Sequence, residues 1–433
     1  MILLQLNELN FDLVEKYVQK YQKKLSNFRR LYDQYYKVET NVHEEYSAIE
    51  PWIQWVSFYT KSPYSKHGIF RLGEADSKPG LKFFTEDLMA KGKTVGTVGA
   101  MNLPKHKGNF KFFIPDAWSS GNTDGTIVSK SIWSMLSQTV NENSSGKVSM
   151  KSLCILLILY SFFIPFRSKI LIATLVLKSF RKKWFKALVL DVLLSEVFLS
   201  KVKKTKPDFS LLFLNAAAHI QHHYLLNSEH SDSGLKNPPE YVKPSHDPIL
   251  DMLLIYDKLL GIFLDYCKSK AEDLAVVTAI SQIPYEMEKT YYRPKNHKDF
   301  LNMLGLEFVS VKPRMTRDFM LELSNAEEAQ LCAEELSTYY FEPTDTPLFG
   351  DLSVRGKYVD VTLKIDRLLS SDDYIKHKGR RYGHLTNYLV LVALKNGMHS
   401  PRGFAFLPFQ PLTDKADLVE VANWIHKKVS AYS

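Results

Sequence analysis

Three histidines within five residues, His219, His222 and His223 of NAAAHIQHHY (residues 215–224), are the strongest chemical signal in this chain. Their i, i+3 and i+4 spacing puts them on one side of a helix, where imidazoles can converge on a cation, and histidine at i and i+4 is an established metal-binding arrangement. Capping or hydrogen bonding inside a core is the plainer alternative. A fourth histidine, His399, stands in NGMHSPRGF between Gly397 and a Pro401-Arg402-Gly403 turn, where glycine lets the backbone approach a ligand closely. Further upstream, EPWIQWVSFYT (residues 50–60) interleaves Glu50, Gln54, Ser57 and Thr60 with Trp52 and Trp55. That is the pattern of an amphipathic helix opening at Pro51, and a surface helix with aromatic packing would show it too.

The elements that must position these residues read as an α/β fold. Apolar runs at residues 2–6, 94–99, 209–214 and 274–279 have the composition of parallel strands buried on both faces. Helical periodicity separates them at residues 12–32, 84–90 and 248–268. Strands alternating with helices predict a doubly wound, mainly parallel sheet with helices on both faces. Ligands of such sheets lie beyond the carboxyl ends of the strands, which puts Asn7, Asn215, Ser281 and Gln282 at the rim of a cleft. The whole chain, residues 1–433, reads as one domain with two departures from this rhythm. Residues 147–204 form a helical insertion that caps the cleft or faces a membrane; its first uncharged run falls short of the roughly 20 residues a spanning helix needs. Residues 284–360, rich in Pro, Arg and Tyr, read as an irregular cleft-side excursion.

Composition narrows the partners. A formal charge of +9 and a pI near 9.0 favour anionic ligands or an acidic lipid surface. No arginine-rich motif points to nucleic acid. Cys154, Cys267 and Cys332 are odd in number and widely separated, so neither a disulfide framework nor a thiolate metal site is expected. The cysteine usage suits a reducing cytoplasm, and MILLQLNELNFD reads as a strand rather than a secretory leader. The expected location is cytoplasmic, with peripheral contact at the inner membrane as the alternative for residues 147–204. HGIFRLGEAD lacks the spacing of a phosphate-binding loop.

Taken together and in order, these segments resemble the alkaline phosphatase superfamily, particularly its type I phosphodiesterase/nucleotide pyrophosphatase branch and the sulfatases. The resemblance runs through Leu4-Gln5-Leu6-Asn7-Glu8, Glu50-Pro51, Tyr59-Thr60-Lys61, His67-Gly68-Ile69, residues 215–219, residues 279–283, and Gly397-Met398-His399 with Gly403, so it covers nearly the whole chain. The EPWIQW and AHIQHHY segments are similar to those of a divergent bacterial subgroup associated with surface polysaccharide genes. The resemblance implies a hydrolase or transferase of phosphate or sulfate esters, on a glycan or lipid-linked substrate, with a divalent metal: zinc first, manganese or magnesium as alternatives. It puts Asn7, Glu8, His219, His222, His223 and His399 at the metal, Glu50 and Gln54 at the catalytic position, and Asn215, Arg71, Gln282 and Arg402 against the substrate.

The departures from the family pattern bear on mechanism. Asn stands for Asp at positions 7 and 215, Ser281-Gln282 or Ile280-Ser281 falls where the pattern has Asp-His, and no Thr or Ser occupies the nucleophile position beside Pro51. A dinuclear zinc site needs several carboxylates to balance about four positive charges, and amides supply none. The expectation is therefore one divalent ion held by His219, His223 and His399 with Glu8 or Glu50. Arg71 or Arg402 would clamp the anion, and Glu50 would act as nucleophile or base. A catalytically degenerate member that keeps the cleft for binding or regulation is the competing reading.

Overall fold

The computed structural model describes residues 1–141, 160, 161 and 163–432, apart from 77, 79, 107, 120, 288, 315 and 316. The chain divides into two compact units. Among the described residues, the larger comprises those of 1–140, 160–284 and 397–432 and is organised by an eight-stranded sheet. Across that sheet the strands run Lys415–Asp417, Tyr36–Asn41, Arg402–Leu407, Leu274–Thr278, Ile2–Leu6, Phe209–Leu214, Val95–Val98 and Phe110–Ile114. Only Arg402–Leu407 runs against its neighbours.

Successive side chains of a strand enter opposite layers, and here both layers are apolar. Leu4, Leu6, Leu212 and Leu214 pack into one with Val197 of helix Phe185–Thr205 and Leu253 of helix Pro248–Lys270. Leu3, Leu211 and Phe213 pack into the other with Trp55 and Phe58 of helix Pro51–Thr60 and Ile425 of helix Leu418–Ser430. The result is an α/β unit with a mainly parallel sheet and helices on both faces. All four apolar runs of the sequence are strands in it. The four remaining strands are short, alternating or antiparallel and carried no comparable signal.

Three expectations need correction. Residues 12–32 do not form one helix but two, Phe11–Lys20 and Ser26–Gln34. The second is started by a distant carboxylate: Asp257 accepts from the backbone amides of Asn27 (2.8 Å) and Phe28 (2.9 Å). Residues 284–360 are not irregular. From Tyr285 on they belong to the second compact unit, built on residues 285–396, whose four-stranded antiparallel sheet runs Phe349–Arg355, Tyr358–Leu363, Asp318–Glu322 and Ser310–Pro313. Phe319, Leu321, Val359, Val361 and Leu363 point inward at alternating positions against Leu336 and Tyr339, a period-two pattern that closes a core of its own. The insertion is described from Phe166–Ser179 and Phe185–Thr205, both helices; residues 147–159 and 162 lie outside the described residues. Helix Phe185–Thr205 packs on strands Phe209–Leu214 and Val95–Val98 and is part of the core layer. No helix among the described residues is long and apolar enough to cross a membrane.

Candidate metal centre

Strands Ile2–Leu6, Phe209–Leu214 and Leu274–Thr278 are parallel, so their carboxyl ends meet on one edge of the sheet. There the chain after Leu6 turns sharply, and Glu8 adopts φ +57°, a left-handed conformation that costs a non-glycine residue about 1–3 kcal/mol and persists only when its surroundings hold it. They do. The buried Glu8 carboxylate accepts from Asn7 Nδ2 at 3.1 Å and Gln282 Nε2 at 2.5 Å, and its backbone carbonyl accepts from Gln221 Nε2 at 2.8 Å.

Helix Ala216–Tyr224 brings Ala218, Gln221 and His222, spaced i, i+3 and i+4, to this edge. Its start is held from outside the segment: Asp191 of helix Phe185–Thr205 accepts from the amide of Ala216 (2.9 Å) and the hydroxyl of Tyr256 (2.6 Å). Asn215, the residue in capping position, instead accepts from Asn7 Nδ2 at 2.8 Å, and Trp55 Nε1 donates to Asn7 Oδ1 at 2.8 Å. His399 arrives on strand Gly397–Ser400, antiparallel to Ser281–Pro284 with His399 opposite Gln282. Gly397 is required there because a Cβ would lie 2.0 Å from Gln282 Oε1; the close approach is to a side chain of the site itself.

Three atoms converge: His222 Nε2 lies 3.0 Å and His399 Nε2 3.1 Å from Glu8 Oε2, and the two nitrogens are 3.2 Å apart. The other ring nitrogens decide what this means. His222 Nδ1 faces the Gly397 carbonyl at 3.0 Å, and His399 Nδ1 faces Glu50 Oε2 at 3.3 Å. A carbonyl and a carboxylate only accept, so each Nδ1 carries the hydrogen and each Nε2 turns a lone pair toward the Glu8 oxygen. Three electron-rich atoms facing one another demand a cation between them, either protons on the imidazoles or a metal ion. Ligands at 2.0–2.1 Å from a tetrahedral zinc are separated by about 3.3 Å, close to the spacing observed. The residues therefore fit a single divalent ion held by Glu8, His222 and His399, with Gly397 and Glu50 orienting the rings. Burial opposes ionisation of Glu8, but where protons on His399 and His222 supply that cation, their charge and hydrogen bonds more than offset it and hold the carboxyl well below the usual carboxylate range.

The predicted residues divide accordingly. Glu8, His222, His399 and Glu50 come together, with Asn7, Asn215 and Gln282 bracing them. His219 and His223 do not join His399: their rings pair with each other at 4.6 Å on the adjacent helix face, and His223 Nδ1 meets the Tyr241 hydroxyl at 3.0 Å. Among the described residues, Glu8, His222 and His399 form the one group of three with metal-ligand spacing. Gln54 is buried and donates to the Ala48 carbonyl at 2.8 Å. Arg402 is held by Asp12 and Glu39 at 2.5 and 2.6 Å, and Arg71 is an exposed residue whose backbone amide is bound by Glu74. His67 is buried against Ser57 (2.9 Å), yet its Nδ1 accepts from the Ile69 amide (3.0 Å). The Nε2 hydrogen then points at the serine oxygen, the wrong tautomer for a base, and burial pushes the imidazole pKa down to about 4.

The sequence matches no family model and no curated protein. Solved structures do match. The chain is similar to wild-type alkaline phosphatase PafA, with a TM-score of 0.46 and 11% identity over 99% of this chain and 95% of that one. It is also similar to phosphonoacetate hydrolase from Sinorhizobium meliloti (TM-score 0.42, 11% identity, 99% and 95%). Human ectonucleotide pyrophosphatase/phosphodiesterase 5 matches at a TM-score of 0.40 and 10% identity, over 100% and 95%. Function resides in the site rather than the fold, so the chemistry has to follow from the residues above. Three residues that support the site were missed in the sequence: Gln221, Asn10 and Asp191. Asn10 donates from Nδ2 to the Gln282 carbonyl (2.9 Å) and from its amide to Gln221 Oε1 (3.2 Å). Asp191 did leave a signal, as a carboxylate in the middle of the apolar run FKALVLDVLL.

Proposed function

We propose that this protein is a metal-dependent hydrolase or transferase acting on a phosphate or sulfate ester, with one divalent cation, zinc first among candidates, held by Glu8, His222 and His399. The observation that carries the reading is the convergence of two imidazole lone pairs on a buried carboxylate oxygen. A bound divalent ion would supply Lewis-acid stabilisation of the ester's developing negative charge. Glu8 holds its position through Asn7 and Gln282, and Glu50 fixes the tautomer of His399. Glu50 is also the most exposed member of the group, with 29% of its side chain open, so its carboxylate can take a proton from attacking water or attack the ester itself. The positive net charge suits an anionic substrate such as a glycan- or lipid-linked ester, and buried free thiols at Cys267 and Cys332 suit a reducing cytoplasm.

A second reading, a metal- or anion-binding protein without turnover, draws support from Arg402, whose charge is taken up by Asp12 and Glu39. Metal analysis of the purified chain separates the outcomes. Wild type should carry close to one equivalent of divalent metal, and His222→Ala should lose most of it while His219→Ala retains it. Hydrolysis of one of a panel of phosphomonoesters, phosphodiesters and sulfate esters with added Zn, Mn or Mg supports the enzyme. Bound metal without turnover supports the binding protein, and equal metal content in the two variants removes the metal site from both readings.

A further inference from the structure

We propose that the outward face of helix Phe166–Ser179 docks this protein on an anionic lipid bilayer, lying in the interface without crossing it. The helix is apolar on two sides. Ser168, Ile172, Leu175 and Ser179 are buried, and Ser168 hydrogen-bonds Glu196 of helix Phe185–Thr205, which packs alongside. On the opposite side Phe166, Ile170 and Leu177, continued by Phe180, are 79, 55, 70 and 82% exposed. Their spacing of four, seven and three residues lines them along one face. A contiguous exposed stripe of this kind marks an interaction surface rather than ordinary surface scatter.

Charge identifies the partner. Residues 160–190 hold seven Lys or Arg and no Asp or Glu. Lys182 pairs with Asp251 at 2.9 Å, whereas Arg167, Lys169, Lys178, Arg181, Lys183 and Lys186 make no ion pair with a carboxylate among the described residues. An apolar stripe edged with cations matches acyl chains beneath anionic headgroups. A second copy of the chain would bring the same positive edge and be repelled. Fourteen residues of helix span about 21 Å, short of the roughly 30 Å hydrocarbon core, so the element suits the interface. It is also firmly mounted: Trp184 donates to Asp251 at 3.1 Å and packs on Tyr224 with ring centroids 5.3 Å apart. The surface would serve the protein whether or not Glu8, His222 and His399 turn over a substrate.

The test is flotation of the full chain with vesicles of phosphatidylcholine alone and of phosphatidylcholine mixed equally with phosphatidylglycerol. Wild type should be recovered with the anionic vesicles only, less so as salt rises. Phe166→Asp with Phe180→Asp should abolish recovery while leaving the circular dichroism and metal content unchanged, both side chains being exposed. Arg181→Gln with Lys183→Gln, which spares the apolar stripe, should weaken binding about five-fold per charge removed. Equal recovery from both vesicle types, recovery from neither, or recovery indifferent to the aspartates overturns the proposal. So does a dimer in sedimentation that the aspartates dissociate in the absence of lipid, which would make a second copy the occupant.

Discussion

Helix starts beside the candidate metal centre and helix starts elsewhere use the same kinds of residue for different work. Away from the site, Asn325 accepts from the Glu328 amide at 2.9 Å, Asn296 from Lys298 and Asp299, and Asp417 with Glu420 forms a reciprocal capping box. These are ordinary local caps, each serving its own helix. At the site, Glu50 and Asn215 occupy the same position and make no side-chain cap. Glu50 turns to His399 and Asn215 to Asn7. The orphan amides at the start of helix Ala216–Tyr224 are served from other helices, that of Ala216 by Asp191 and that of Ala217 by the Tyr256 hydroxyl. Side chains that would close a helix end have been released to brace ligands, and the loss is made good by tertiary contacts.

The contrast can be broken most sharply at Glu50. Glu50→Gln keeps shape and loses charge and basicity, so turnover should fall by about 10²- to 10⁴-fold, with a melting temperature close to wild type because no cap is lost. A stability loss of about 0.5–2 kcal/mol with near-normal turnover would instead make Glu50 an ordinary cap.

Asp191 comes next. Asp191→Ala strands the amide of Ala216 and the hydroxyl of Tyr256 and should cost about 2–4 kcal/mol in denaturant unfolding, more than a surface cap can. Its titration gives a second readout. Burial pushes its pKa up to about 6 against hydrogen bonds from Tyr256, Ala216 and Asn215. The folded chain thus holds that proton more tightly than the unfolded chain, and the Asp191 contribution to stability declines as pH rises from about 4 to 6. Asp191→Asn lacks this term, so its stability relative to wild type should rise across that window by an amount on the order of 2–3 kcal/mol. A flat difference would show that Asp191 does not titrate there. The smallest effect belongs to an ordinary cap: Asn325→Ala should cost about 1 kcal/mol and leave metal content untouched.

Much of this arrangement was legible in the sequence. The strands Ile2–Leu6, Phe209–Leu214 and Leu274–Thr278 announce themselves as continuous apolar runs because both of their faces are covered, and their ends carry Glu8, Asn215 and Gln282 to one edge. What was not legible was the choice among histidines. Period 3.6 says that His219 and His223 share one face and that Ala218 and His222 share the next. It cannot say which of those faces meets the strand ends, because that depends on how the helix is rotated by Asp191 at its start and Gln282 along its side.

The same distinction explains the other corrections. Apolar spacing runs without interruption through residues 12–32, yet the first helix ends at Lys20 and a second starts at Ser26, where Asp257, more than 200 residues away, captures the amides of Asn27 and Phe28. Residues 285–396 contain alternating strands whose period was masked by Pro, Arg and Tyr, and a core became visible only when the strands were paired. The amino-acid sequence by itself determined the buried strands, the helix bearing the histidines and the residue types available at the strand ends, since these follow from local periodicity and side-chain chemistry. The tertiary structure alone decided which two imidazoles face Glu8 and which nitrogen each presents, since a lone pair is aimed by the acceptor on the far side of the ring, and those acceptors, the Gly397 carbonyl and Glu50, come from distant parts of the chain.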